Sequence, residues 1–196
     1  MPREPSTTQP VVILHGWYGS GPEHWQTWLA GRLAADHVVR YPALPDPDEP
    51  RLDRWLGALD QVLDGLPDGG YDLVCHSLAA LLWLHRVARG PVTPAPARVL
   101  LVAPPSPTAE VPEVTRPFLA APLEVDAVRR AGGGTVLVCS DNDPYCPEGA
   151  AVAYGRPLKL PVAVLPGAGH LNPEAGYGPW PAVERWCNRP NLAFPL

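Results

Sequence analysis

The chain has 196 residues, a net charge of −5 and 46% apolar content, values that suit one soluble α/β-sized domain with a buried core. The absence of any basic cluster argues against nucleic acid or an anionic membrane surface as partner, and no apolar run approaches the roughly 20 residues of a membrane span. The start, residues 1–10, has no signal-peptide core and reads as a flexible tail, leaving 11–196 as the domain of a cytoplasmic protein.

Val11-Val12-Ile13-Leu14 predicts a strand buried on both faces, and it ends in the glycine-rich loop His15-Gly16-Trp17-Tyr18-Gly19-Ser20-Gly21-Pro22. A helix is expected from about Glu23, with Trp25, Trp28, Leu29 and Leu33 on one face. Residues 38–41 read as the next strand. Leu52, Trp55, Leu56, Leu59, Leu63 and Leu66 then mark a second amphipathic helix, closed by the Pro-Asp-Gly-Gly stretch at 67–70. Tyr71 to Cys75 is an apolar strand running into His76-Ser77-Leu78-Ala79, and a Leu/Ala-rich helix continues to about Arg89. Further strands are expected at 98–102, 135–139 and 162–165. Short helices are expected at 123–130, stopped by the glycines at 132–134, then from about Pro147, and from Trp180 to about Cys187. The 28 prolines and 18 glycines punctuate these runs. This alternation predicts one doubly wound, mainly parallel sheet of about six strands between helical layers. Four cysteines without C-x-x-C or zinc spacing read as reduced and packed.

In such a sheet the active groups collect on loops at the carboxyl ends of strands. Three of those loops carry Ser77, Asp143 and His170, the chain order of an α/β-hydrolase triad. A serine hydroxyl needs a base to become a nucleophile at neutral pH. A histidine can take and return that proton, and an aspartate fixes its tautomer. Backbone N–H groups of Leu78 and Trp17 are candidates for holding the oxyanion, and Gly16 suits a close approach of backbone to substrate. The elbow departs from G-x-S-x-G in having Cys75 and Ala79 where glycines are usual; both are compact.

These pieces together resemble the small serine hydrolases of the retinoblastoma-binding-protein-9 family within the α/β-hydrolase superfamily, whose bacterial members are described as predicted esterases. The matching segments are residues 12–17 with 19–26, then His76-Ser77-Leu78, Ser140-Asp141-Asn142-Asp143-Pro144 and Gly167-Ala168-Gly169-His170-Leu171-Asn172. The resemblance implies a compact α/β-hydrolase fold and assigns Ser77, Asp143 and His170 as the triad, with Asp141 as the alternative acid. The combined reading is a hydrolase of small carboxylic esters acting through an acyl-serine, with no metal or cofactor and no large lid in 103–122. His24 is expected to orient the first loop, beside His15 and Gly16. Trp17, Tyr18, Phe118 and Tyr145 are candidates for the pocket wall, and His76 should point away from the substrate. Two other readings share these residues: a feebly catalytic protein-binding module, and an acyltransferase using the same triad. A protein partner is not otherwise indicated.

Overall fold

The apolar runs of the interior strands are continuous because those strands are covered on both faces. The computed structural model describes residues 9–67, 70–131, 134–190 and 193–194. Six strands, β1 (Val11–Leu14), β2 (Val39–Arg40), β3 (Asp72–His76), β4 (Arg98–Val102), β5 (Gly134–Ser140) and β6 (Val162–Leu165), form one sheet in the order β2-β1-β3-β4-β5-β6. All five pairings are parallel. Residues alternate across it: Val12, Leu14, Leu73, Cys75, Val99 and Leu101 enter one core, while Val11, Ile13, Val74, Leu100 and Val102 enter the other, as the two-residue period of a strand requires.

Among the described residues seven α-helices complete the two outer layers: α1 (Trp25–Leu33), α2 (Leu52–Leu63), α3 (Leu78–Ala88), α4 (Arg116–Leu119), α5 (Val125–Arg130), α6 (Arg156–Leu158) and α7 (Pro181–Asn188). The first core is covered by α2 to α6 and the second by α1 and α7. α3 is buried nearly all round, because it lies on the sheet beneath α2, α4 and α5; this is why its sequence shows no polar stripe. From β1 the chain steps one way to β2, then returns past β1 to lay down β3 to β6. The direction of winding therefore switches between β1 and β3, where open α/β sheets bind ligands.

Several expectations shift. The first helix starts at Trp25, because His24 is its N-cap and accepts from the Gln26 N–H at 3.2 Å. The second ends at Leu63, where Asp64 leaves helical geometry at ψ 136°, although Leu66 stays buried. The helix expected from Pro147 is instead a set of turns leading to a π-helical turn, Ala151–Gly155, that runs into α6. Gly155 is packed on β6 so closely that a Cβ would sit 2.5 Å from Val162 Cγ2.

Segment 103–122 contains only the single-turn α4, so no helical cap is built there. Its start is tied down: the Ser106 N–H donates to the Tyr145 carbonyl at 2.8 Å and the Tyr154 hydroxyl to the Pro105 carbonyl at 2.5 Å. Of the expected tail, residues 1–8 lie outside the described residues, as do the expected helix stops at 68–69 and 132–133. Pro10 is already tied to the sheet through its carbonyl, which accepts from the Asp72 N–H at 2.9 Å. Among the described residues no helix is long and apolar enough to cross a membrane.

Candidate active site

β3 ends at His76 and α3 begins at Leu78, so Ser77 alone makes the turn. It does so at φ 55° and ψ −122°, a conformation that costs a non-glycine residue on the order of 1–3 kcal/mol. The surroundings hold it there: the Ser77 N–H donates to the Val102 carbonyl at 2.9 Å, and Cys75 and Ala79 are fully buried in the strand and helix on either side. Gly16 crosses directly in front. A Cβ on it would lie 2.7 Å from Ser77 Cβ, so the first loop needs glycine here for steric reasons.

His170 and Asp143 come from the loops after β6 and β5. His170 Nε2 lies 3.0 Å from Ser77 Oγ, and its Nδ1–H donates to Asp143 at 2.8 Å (Oδ2) and 3.0 Å (Oδ1). Asp143 Oδ1 also accepts from the Tyr145 N–H at 2.9 Å, which holds the carboxylate in place. With Nδ1 protonated, neutral His170 presents its lone pair to the Ser77 hydroxyl. Asp141 is elsewhere: its Oδ1 accepts from the Gly167 N–H at 2.7 Å.

The histidine loop is shaped by its neighbour. Ser140 Oγ accepts from the Ala168 N–H at 2.9 Å, and Asn142 Oδ1 from the Gly169 N–H at 2.7 Å. Together with Asp141, three consecutive side chains at the end of β5 thus hold three consecutive peptide groups. Gly167 and Gly169 supply the positive φ angles, 66° and 54°, that this curl demands. The clamp was missed at the sequence level, where Ser140, Asp141 and Asn142 entered only as part of the family-like segment around Asp143, with Asp141 as the alternative acid.

Two other buried imidazoles, His24 and His76, lie beside the base, and a third, His15, lies in the first loop. The His76 Nε2–H donates to the His170 carbonyl at 3.0 Å, and its ring lies 5.0 Å from those of both His24 and His170. The expectation that His76 packs on neighbours holds, but not that it points away from the substrate, since it also lines the cavity over Ser77: Cys75 faces the first core, so the next side chain falls on the opposite side, beneath the histidine loop. Burial pushes His76 well below the usual imidazole range, with further lowering from His170 and His24. Burial likewise lowers His24 to about 4, helped by His170 and His15, and lowers His15.

His15 organises the first loop. Its Nδ1–H donates to the Gly16 carbonyl at 2.8 Å, while Nε2 accepts from the Leu44 N–H at 2.8 Å. The Gly19 N–H adds a second bond to the same carbonyl at 3.2 Å. In a trans peptide the N–H points opposite to the C=O, so pinning the Gly16 carbonyl also fixes the direction of the Trp17 N–H. Among the described residues nothing accepts from the N–H of Trp17 or of Leu78. Gln26 closes the loop from below, donating to the Leu14 carbonyl and accepting from Ser20 Oγ, each at 2.8 Å.

A cavity of about 470 Å³ opens over Ser77. Trp17, Tyr18 and Tyr145 line it as expected, with Trp17 and Tyr18 stacked at 4.4 Å. Phe118 does not: it is buried edge-on against Trp55, 5.2 Å between centroids. His37 and His85 serve structure, His37 bridging Gln9 and Asn188 and His85 donating to the Phe118 carbonyl.

A family model described as serine hydrolase matches residues 11–189. The Bacillus subtilis protein YdeN is 42% identical over 72 residues, 36% of this chain and 37% of its own length, so the aligned part spans little more than a third of that relative. The crystal structure of the B. subtilis ydeN product superposes over 92% of this chain and 97% of that one, with TM-score 0.81 and 22% identity. A YdeN-like protein from Pectobacterium atrosepticum gives TM-score 0.69 at 25% identity, covering 95% and 94%. Est1E from Butyrivibrio proteoclasticus gives 0.61 at 15% identity, covering 85% and 81%.

Proposed function

The chain belongs to the serine hydrolase family, and from that premise we propose that it cleaves small carboxylic esters through an acyl-serine intermediate, with Ser77 as nucleophile, His170 as base and Asp143 as its orienting acid. The observation that carries this reading is the unbroken hydrogen-bonded chain from Ser77 Oγ through His170 to Asp143, with the serine on a strained turn. As Ser77 Oγ bonds the acyl carbon, His170 Nε2 takes its proton and Asp143 stabilises the resulting imidazolium. The carbonyl oxygen, now negative, receives the N–H groups of Trp17 and Leu78. Collapse breaks the bond to the alkoxy oxygen, which leaves with the proton from His170. Water then repeats the sequence in reverse and releases the acid.

Within the family we assign the chain to the retinoblastoma-binding-protein-9 group, on the motif segments quoted above. We also place it in the cytoplasm, a reducing setting that suits four buried cysteines held as free thiols. Covalent labelling with a fluorophosphonate probe, read by intact mass and peptide mapping, tests the mechanism. A single adduct on Ser77, abolished in Ser77→Ala and strongly slowed in His170→Ala, is expected. A folded wild type that takes no adduct defeats the proposal.

A further inference from the structure

The walls of the cavity differ in chemistry according to the core behind them. On one side Trp17, Leu78 and Val111 pack onto the first core, and even the Trp17 Nε1–H is occupied, donating to the Asp48 carbonyl at 3.1 Å. On the other side stand His24, Asn172 and Glu174, carried by segments that flank the second core. His24 and Asn172 are both capping residues whose acceptor atoms are engaged by the helix they cap. His24 Nδ1 accepts from the Gln26 N–H at 3.2 Å, and Asn172 Oδ1 accepts from the Ala175 N–H at 3.1 Å. A neutral His24 whose Nδ1 accepts must carry its proton on Nε2. His24 is therefore left with its Nε2–H donor, and Asn172 with both amide hydrogens and one remaining lone pair on Oδ1; none of these donor hydrogens has a partner among the described residues. Glu174 adds a carboxylate, and among the described residues no lysine or arginine lines the cavity.

Proton transfer decides which part of an ester meets this wall. His170 must hand its proton to the departing oxygen, so the alcohol lies on the His170 side. His76 bridges the His170 and His24 rings at 5.0 Å each, and Asn172 is two residues beyond His170. We infer that the site selects esters of a neutral, hydroxylated alcohol, of glycerol or sugar type, carrying a compact apolar acyl group. This rests on the acyl-serine reading above. Hydroxyl groups accept from the two donors and donate to Glu174; an alkyl alcohol leaves all three unfilled, and an anionic one faces the carboxylate. Two recovered hydrogen bonds correspond to about tenfold in kcat/KM.

The test compares hydrolysis of glycerol monobutyrate, butyl butyrate and butyrylcholine by the wild type, His24→Ser and Asn172→Asp, with fluorophosphonate labelling of Ser77 run on each. Serine keeps a cap acceptor for Gln26 but removes the donor, and aspartate keeps the acceptor for Ala175 while losing the amide hydrogens. The expected result is a glycerol-to-butyl ratio of kcat/KM of about ten in the wild type, reduced about threefold or more by each substitution. A labelled wild type with a ratio of one or below overturns the inference alone, and so does a ratio that both variants leave intact. Butyrylcholine as the preferred substrate also overturns it, by giving Glu174 a cation to hold. If Ser77 takes no label, the ester-cleavage reading falls and this inference with it.

Discussion

Gly16 and Ser77 occupy one another's space, and each can be tested through the other. Gly16→Ala places a methyl 2.7 Å from Ser77 Cβ and 3.2 Å from the His76 carbonyl. The first loop must then withdraw, taking the Trp17 N–H with it. Displacements of about 1 Å at a reacting centre cost roughly 100-fold, so fluorophosphonate labelling of this variant should slow by about that factor while its far-ultraviolet circular dichroism stays unchanged; labelling at the wild-type rate would refute the steric role. Ser77→Gly should raise unfolding free energy by about 1 kcal/mol over Ser77→Ala in urea titration, because glycine adopts φ 55° without a Cβ penalty. At this scale the sequence was readable where a residue type is itself chemical: Ser77, Asp143 and His170 meet as their chain order predicts. It was unreadable where the role depends on which end of a side chain is already occupied. That His24 caps with Nδ1, or that Asn172 caps with Oδ1, follows only from backbone geometry.

Elements are joined by a few side chains that span them, and Arg98 at the start of β4 is the clearest case. It pairs with Asp72 on β3, donates to the Trp186 and Arg189 carbonyls at 2.9 and 3.1 Å, and lies 4.1 Å over the Trp186 ring. It thereby ties the sheet to the C-terminal end of α7, where helix carbonyls lack intrahelical partners. Arg98→Leu leaves the Asp72 carboxylate buried without its partner, which typically costs about 3–5 kcal/mol. Urea unfolding should show a loss of that size, and Asp72→Asn combined with Arg98→Leu should recover part of it; an additive double variant would contradict the pairing. Strands at 98–102 and 162–165 matched their expected bounds because each is a short apolar run, with prolines directly flanking the second. The stretch after Pro147 did not, since its π-helical turn is set by close packing of Gly155 against Val162, a tertiary contact with no local signature.

Across the whole molecule, three buried neutral histidines make the fold sensitive to acid. His15, His24 and His76 all have pKa values lowered mainly by burial, whereas in the unfolded chain they titrate near 6.5. Below that pH the unfolded chain binds protons that the folded one refuses. The stability is thus fully present above about pH 6.5 and declines as pH falls, for His24 down to about 4. Each such group contributes a slope of about 1.4 kcal/mol per pH unit within its window. The urea midpoint should therefore fall steadily from pH 6.5 to 5, less steeply in His24→Ser; a flat profile for the wild type over that range would rule the effect out.

The placement of the proposed groups across the sheet also has a consequence during synthesis. Ser77 follows the interior strand β3, but His170 follows β6, an edge strand and the last of the six to be made. Chains emerge from the ribosome N-terminus first, so the turn bearing the serine is available to fold long before its base exists. A nascent or prematurely terminated chain that stops short of the β6 loop carries the nucleophile without the means to activate it. Such fragments should be inert toward esters, and the site becomes competent only once the loop that follows β6 has been translated.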